Sequence, residues 1–295
     1  MANLNPGSLF VFGLGYSAQV LGRQLLAKGW QVAGTSRSPE GCASLATQGF
    51  TPFVFSQSVE LVPEALTALD AATHVLSSVP PDYTGDPVLN LTDKALREVE
   101  TAKWFGYLST TGVYGDWHGA EVTEESERRP TSDRARRRVA AEDRWLDLFH
   151  RHHLPVHVFR LAGIYGPQYS VLDDVRAGTA QRIDKPGHFF SRIHVNDIAQ
   201  VLYASMTHPD PGAIYNLCDD EPAEPAAVVA EACTLLNAPL PPLVPFGQAQ
   251  LSDMGRSFWC DHKRVSNAKM KQDLPIKLIY PTYREGLRSI LTEEG

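Results

Sequence analysis

Short apolar runs and helical-period segments alternate along most of this chain. Leu9, Phe10, Val11 and Phe12 form an apolar run that stops at Gly13. Val20, Leu21, Leu25 and Leu26 then recur at helical spacing within residues 17–28, and Gly29 follows as a C-cap glycine would. Residues 31–34 read as the next strand, so the three segments make a βαβ unit. The alternation continues with strands over 51–55, 74–79 and 104–108 and helices over 63–69 and 88–103. After a loop over 115–130, the spacing predicts a helix over 132–151 with Ala135, Val139, Leu146 and Phe149 as its apolar stripe. A buried strand over 156–161, a helix over 194–207 and a late strand over 213–217 follow. Strands alternating with helices imply an α/β fold, a doubly wound parallel sheet.

The first turn carries chemistry. Gly13-Leu14-Gly15-Tyr16-Ser17-Ala18 fits the pattern G-x-G-x-x-A between a strand and a helix. The first glycine permits a tight turn, the second lets a pyrophosphate approach the backbone, and the small third residue lets helix and strand pack closely. Free N–H groups at the helix start favour phosphate. Gly13, Gly15, Tyr16, Ser17 and Ala18 are therefore candidate coenzyme contacts in a Rossmann-type sheet. The second strand ends Gly34-Thr35-Ser36-Arg37, with no acid to accept bonds from a ribose 2′-hydroxyl. Thr35, Ser36 and the guanidinium of Arg37 suit a 2′-phosphate instead, which favours NADP over NAD. Ser78, Val79 and Pro80 close another strand on the expected coenzyme edge; the same residues also read as a strand end stopped by Pro80-Pro81.

Beyond Asp219 the texture changes. Prolines at 222, 225, 239, 241, 242 and 245 surround one predicted helix over 226–236. The expected division is a dinucleotide-binding domain over 1–165, to which 193–218 return, and a smaller substrate-binding lobe from 166–192 and 219–295. At 295 residues and 43% apolar, the chain can bury a sizeable core. A net charge of -7 argues against a nucleic-acid partner. No apolar run of about 18 residues is present, so no membrane span is expected. The polar first eight residues do not read as a secretory signal. Cys42, Cys218, Cys233 and Cys260 have no metal or redox spacing and read as reduced thiols of a cytoplasmic protein. No metal site is expected.

Four blocks together resemble the extended short-chain dehydrogenase/reductase superfamily in its NAD-dependent epimerase/dehydratase branch. They are the turn over 13–18, Leu108-Ser109-Thr110-Thr111-Gly112-Val113-Tyr114-Gly115-Asp116, Arg160-Leu161-Ala162-Gly163-Ile164-Tyr165-Gly166-Pro167, and Ile193-His194-Val195-Asn196-Asp197-Ile198-Ala199. The similarity is strongest to the atypical subgroup. The resemblance implies that Thr110 holds the position of the catalytic Ser/Thr, and that Tyr165 with Gly166-Pro167 frames the nicotinamide pocket. It also implies a departure. Aligned on Glu142, the positions of the usual catalytic Tyr and Lys hold Arg134 and Arg138.

Arginine stays protonated and cannot act as a base, but it binds anions well. The usual proton relay is thus missing or rebuilt. Tyr114, Tyr165, Tyr169, His118 and His194 are candidates for a relocated acid by location alone; Thr110 and Tyr165 are taken as the catalytic pair. Arg138 is expected to contact coenzyme, and Thr111, Arg134 and Arg192 a substrate. Arg176, Arg182 and Lys185 are further cations able to neutralise a substrate phosphate. Two readings stay open. One is an NADP-dependent oxidoreductase or epimerase-like enzyme acting on a sugar-like or nucleotide-sugar hydroxyl or carbonyl. The other is a non-catalytic NADP-binding sensor or regulatory protein. By analogy with the superfamily, a homodimer would form through the helices over 88–103 and 132–151.

Overall fold

The computed structural model describes residues 5–294. In chain order, β1 (Ser8–Phe12), α1 (Tyr16–Leu26), β2 (Gln31–Ser36), α2 (Pro39–Ala46), β3 (Thr51–Val54), α3 (Pro63–Asp70), β4 (His74–Ser77), α4 (Pro87–Glu98) and β5 (Trp104–Thr110) form the first half. Then come β6 (Glu121–Val122), α5 (Asp133–His152), β7 (Val156–Leu161), β8 (Gly163–Tyr165), α6 (Val171–Arg176), β9 (Arg182–Asp184), β10 (Arg192–His194), α7 (Val195–Thr207) and β11 (Ile214–Leu217). The last part holds α8 (Pro225–Leu235), β12 (Leu243–Pro245), α9 (Asp253–Phe258), β13 (Arg264–Val265), α10 (Ala268–Asp273) and α11 (Tyr283–Glu294).

Seven strands pair in the order β11-β7-β5-β4-β1-β2-β3, all in parallel. The winding reverses between β1 and β4, and a crevice opens at the carboxyl ends of the strands at that switch point. Because side chains alternate along a strand, each strand feeds two cores. Leu9 and Val11 join Leu21, Leu25, Ile198 and Leu202 on one face. Phe10 and Phe12 join Leu69, Val88, Leu96 and Trp145 on the other. Smaller apolar clusters lie beyond the sheet: one around Leu172, Val228, Tyr283 and Leu287, another around Ile183, Ala249 and Trp259.

The structure alters the sequence reading in places. The helix expected to run to 103 ends at Glu98, because Val99 leaves helical geometry and Thr101 Oγ1 donates instead to the Asp70 and Ala72 carbonyls. The inward stripe of α5 is centred on Ala141, Glu142, Trp145 and Leu148; Val139, Leu146 and Phe149 pack at its margins. The buried carboxylate explains the shift, since Glu142 sits where an apolar residue was sought. Three short parallel pairs, β10–β8, β12–β9 and β13–β6, lie outside the strands that the sequence pattern predicts. All four cysteines are unpaired thiols. Among the described residues no helix is long and apolar enough to cross a membrane, and no His/Cys/Asp/Glu group could hold a metal.

Candidate active site

The β1–α1 turn is held from below. Gly13 takes φ +79°, where an L side chain is strained and a Cβ would meet Val79 Cγ2 at 3.0 Å. Its N–H donates to Thr35 Oγ1 at 2.8 Å, Leu14 N–H donates to the Thr35 carbonyl at 2.8 Å, and the Ser78 hydroxyl donates to the Gly13 carbonyl. Thr35 is buried, so its hydroxyl shapes the turn rather than meeting a ligand. Ala18 is likewise buried and lets α1 lie against the sheet.

Gly15 differs from Gly13. A Cβ there would meet only the Gly13 carbonyl, at 3.9 Å, so the protein itself leaves that side open. Gly15 is also the N-cap of α1, and no side chain caps the helix. An open face over an uncapped helix start suits a pyrophosphate. Arg37 lies exposed just past the end of β2, and Ser38 caps α2 through Gly41 N–H at 3.2 Å. Ser36 is half-buried beneath that helix start, and Val79 and exposed Pro80 lie at the end of β4.

A cleft of about 700 Å³ opens from this turn. Gly15, Tyr16, Ser17 and Ser78 border it on the turn side; Leu108, Ser109, Thr110, Thr111 and Gly112 form its floor. Arg134 and Arg138 enter from α5, and Gly163, Ile164, Ser191 and Arg192 from β8, β10 and its lead-in. Phe258, Asp261, Lys263 and Val265 close the far wall. Thr110 therefore lies on the floor, where its Oγ1 accepts from Gly112 N–H at 3.1 Å and keeps its own proton to donate.

The stripe of residues 134, 138 and 142 runs from solvent into the core. Arg134 is exposed at the rim, its guanidinium 6.0 Å from the Phe258 ring centre. Arg138 is half-buried and donates to Tyr107 Oη at 3.0 Å and the Leu108 carbonyl at 2.9 Å. Glu142 is fully buried, ion-paired to Arg160 at 2.8 Å, and accepts the Ser109 hydroxyl. Arg160 also donates to Tyr114 Oη at 2.8 Å, and Tyr114 donates to Asn216 Oδ1 at 2.7 Å. Tyr114 is thereby a brace under the floor and not a cleft residue.

Other expected residues are placed elsewhere. The Tyr165 phenol turns into the apolar cluster with Leu172, Tyr283 and Leu287, where burial pushes its pKa far up. It borders a smaller cavity that adjoins the cleft and shares Gly163, Ile164, Tyr169 and Arg192 with it, while Tyr165 itself does not line the part that holds Thr110. The phenol is thus turned toward the apolar cluster and does not share the cleft floor with Thr110. His194 is buried against Tyr165 and Tyr280 with its pKa pulled down to about 4 by burial, and His118 is exposed with its Nδ1 3.0 Å from Asp116 Oδ2. Asp197 ties the start of α7 to a distant segment: it accepts from Ile279 N–H at 2.7 Å and Tyr280 N–H at 3.1 Å. Arg182 donates to the Pro241 carbonyl and Lys185 to that of Trp259, while Arg176 pairs with Asp173, so none of the three lines the cleft. Arg192 does; its guanidinium donates to the Phe190 carbonyl at 2.9 Å and the Ala223 carbonyl at 3.2 Å. Tyr16 spans the cleft mouth, donating to the Pro167 carbonyl at 2.9 Å with its ring 5.8 Å from that of Tyr169; burial pushes its phenol up to about 12. Asp261 and Phe258 are cleft residues that no motif marks; Lys263, in a family-like segment over 263–267 expected to pack the second lobe, lines the cleft as well.

The switch-point cleft, the glycine turn and the threonine floor define a dinucleotide-binding α/β enzyme of the epimerase/dehydratase kind. The model of the NAD dependent epimerase/dehydratase family matches residues 9–218, and the chain belongs to that family. It is 30% identical over 228 residues to Protein YeeZ of Escherichia coli (strain K12), covering 73% of this chain and 78% of that protein. A solved structure of a functionally unknown conserved protein from Silicibacter pomeroyi superposes with a TM-score of 0.89 at 46% identity, covering 98% of this chain and 99% of that one. MoeE5, solved with UDP-glucuronic acid and NAD, shares the fold at 19% identity and a TM-score of 0.76, over 98% of this chain and 100% of that one.

Proposed function

We propose that the protein is an NADP-dependent oxidoreductase or epimerase-like enzyme acting on a hydroxyl or carbonyl of a sugar-like substrate, a nucleotide sugar being the leading class. The observation that carries the coenzyme choice is Arg37, exposed at the end of β2 with no acid beside Thr35 and Ser36. Gly13, Gly15, Tyr16, Ser17 and Ser78 would hold the coenzyme's phosphates and ribose, and its nicotinamide would supply hydride chemistry near Thr110. Thr110 donates a hydrogen bond to the reacting oxygen. Arg138, at the position where the family places Lys, is bonded to the wall of the cleft and lends it positive charge. Arg134, Thr111 and Arg192, which line the cleft, would contact the substrate. A phosphorylated substrate is supported by those cations and by the UDP-glucuronic acid bound to MoeE5.

Residues 166–192 and 219–295 serve as the substrate-contacting part. Dimerisation through α4 and α5, which pack side by side, is read out by sedimentation at several concentrations. The four unpaired thiols suit a reducing compartment such as the cytoplasm.

The test is to identify nucleotide released from purified protein by mass spectrometry and to titrate NADP and NAD. Arg37→Asp should weaken NADP about 10- to 100-fold, the equivalent of one charge-assisted bond, and narrow its lead over NAD. A protein that prefers NAD tenfold overturns the coenzyme assignment. NADP bound tightly with no turnover across sugar and carbonyl substrates would return the sensor reading.

A further inference from the structure

We infer that the amine of Lys263 is the proton-transfer group of the cleft, taking over the task that the family's Tyr performs on the helix here called α5. The inference rests on the coenzyme-dependent hydroxyl or carbonyl chemistry proposed above.

Three observations carry it. First, the backbone around Lys263 is fixed on both sides. Trp117 and Gly119 N–H groups each donate to the His262 carbonyl at 3.0 Å, and His262 N–H donates to Asp116 Oδ1 at 2.9 Å. Arg264 N–H donates to the Ala120 carbonyl at 3.0 Å, and Val265 N–H to Ser191 Oγ at 3.1 Å. The side chain between these anchors lines the cleft shared with Thr110.

Second, the amine is partly covered and, among the described residues, lacks a hydrogen-bond partner. The side chain is 11% exposed, its nearest counter-ion is Asp261 Oδ2 at 4.0 Å, and among the described residues Nζ makes no hydrogen bond. An ammonium placed so is costly. Burial pulls its pKa down, while Asp261 and Asp116 pull it back up. His188 and His262 lie close enough to feel its charge, and Arg134, Arg138 and Arg192 share the cleft.

Third, elimination leaves little else. The cleft arginines hold their protons. Tyr16 is committed to the Pro167 carbonyl, and Tyr169 is 63% exposed. Asp261 accepts the Thr131 hydroxyl at 2.7 Å, and a carboxylate is a much weaker base than an amine.

In the oxidising direction, the substrate's O–H proton passes to neutral Lys263 Nζ, and the O–H electron pair becomes the second carbon–oxygen bond. The carbon's hydrogen leaves with its pair to the oxidised nicotinamide, the oxidant. In the reverse direction the Lys263 ammonium returns the proton to the oxygen.

The test has two arms. Competitive acetylation of the intact protein, followed across pH by mass spectrometry, reads the Lys263 titration without any substrate. A midpoint at least one pH unit below that of an exposed lysine such as Lys94 is expected; a midpoint equal to that of Lys94 overturns the inference whatever the turnover. In the second arm, Lys263→Met and Lys263→Arg are compared with wild type for NADP affinity, melting temperature and NADPH-linked turnover of UDP-glucuronic acid and a panel of nucleotide sugars and simple carbonyl sugars. NADP affinity within threefold, an undiminished melting temperature and a loss of turnover of 100-fold or more in both variants are expected. Wild-type turnover that survives in Lys263→Met with an unchanged pH profile sinks the role of Lys263 and leaves the enzyme reading standing. Wild type inactive on every substrate counts against the enzyme reading, and the acetylation midpoint then decides Lys263 by itself.

Discussion

The same substitution at two glycines separates the coenzyme site from the fold. At Gly15, an alanine Cβ would have the Gly13 carbonyl as its neighbour at 3.9 Å, ordinary contact. The fold then loses only the difference between Gly and Ala at a helix N-cap, about 1 kcal/mol or less. The methyl does, however, occupy space over the uncapped start of α1. Excluding one phosphate oxygen from one N–H removes a charge-assisted bond of about 1.5–3 kcal/mol, so affinity should fall roughly 10- to 150-fold. At Gly34 the position is reversed. A Cβ there would lie 2.6 Å from the Val11 carbonyl and 2.8 Å from Leu14 Cδ1, and Gly34 is paired with Val11 in the sheet register. Backbone must move, at a cost of about 1–3 kcal/mol. Urea unfolding followed by circular dichroism, with calorimetric titration of NADP, reads both quantities. Gly15→Ala should keep its unfolding midpoint close to wild type and lose binding; Gly34→Ala should lose stability first. A Gly15→Ala protein that binds NADP as wild type does would refute the placement of the pyrophosphate.

Other outcomes follow from the buried charges. Glu142→Ala leaves Arg160 buried without its partner at 2.8 Å and should cost about 3–5 kcal/mol, whereas Asp143→Ala, which breaks the half-exposed pair with Arg128, should cost about 1 kcal/mol or less in the same urea assay. Equal losses would show that the Glu142–Arg160 pair is not desolvated. Stability should also peak between pH 6 and 7. His74, His157, His188 and His194 are held down to about 4 by burial, so as pH falls from about 6.5 toward 4 the unfolded chain gains four protons that the folded one refuses. Asp197 and Asp219 are pushed up to about 6 and about 8 by burial and oppose this with two protons, leaving a net loss on the acid side. Above pH 6.5 only the Asp219 effect remains, and stability falls as pH rises toward 8. A melting temperature flat from pH 4.5 to 8 would contradict these burials.

The parallel sheet was legible because its strands are continuous apolar runs and its helices carry 3.6-residue periodicity. Leu9 through Phe12 needs no tertiary context to read as a buried strand. The nucleotide turn was legible because each glycine answers a local steric demand. What escaped was set by distance. The pair β6–β13 has two residues a side and no periodicity to detect, yet it decides which residues enclose the cleft. Lys263 reads in the sequence as part of a lobe-packing segment; its place on the cleft comes from segments far earlier in the chain. Tyr165 misled because a strand end says where the backbone goes, while the apolar cluster around Tyr283 decides where the phenol points. Glu142 misled the helix stripe because its charge is matched by Arg160, eighteen positions on, on the strand β7 beneath it.

The hydrogen bond from His262 to Asp116 joins residues 146 positions apart. During synthesis, therefore, the glycine turn and most of the sheet leave the ribosome well before the far wall exists. A nascent chain passes through a stage in which the coenzyme cradle can form but the enclosure around Thr110 cannot. Captured coenzyme would brace the early half at that stage, while chemistry waits for residues 258–265 to emerge.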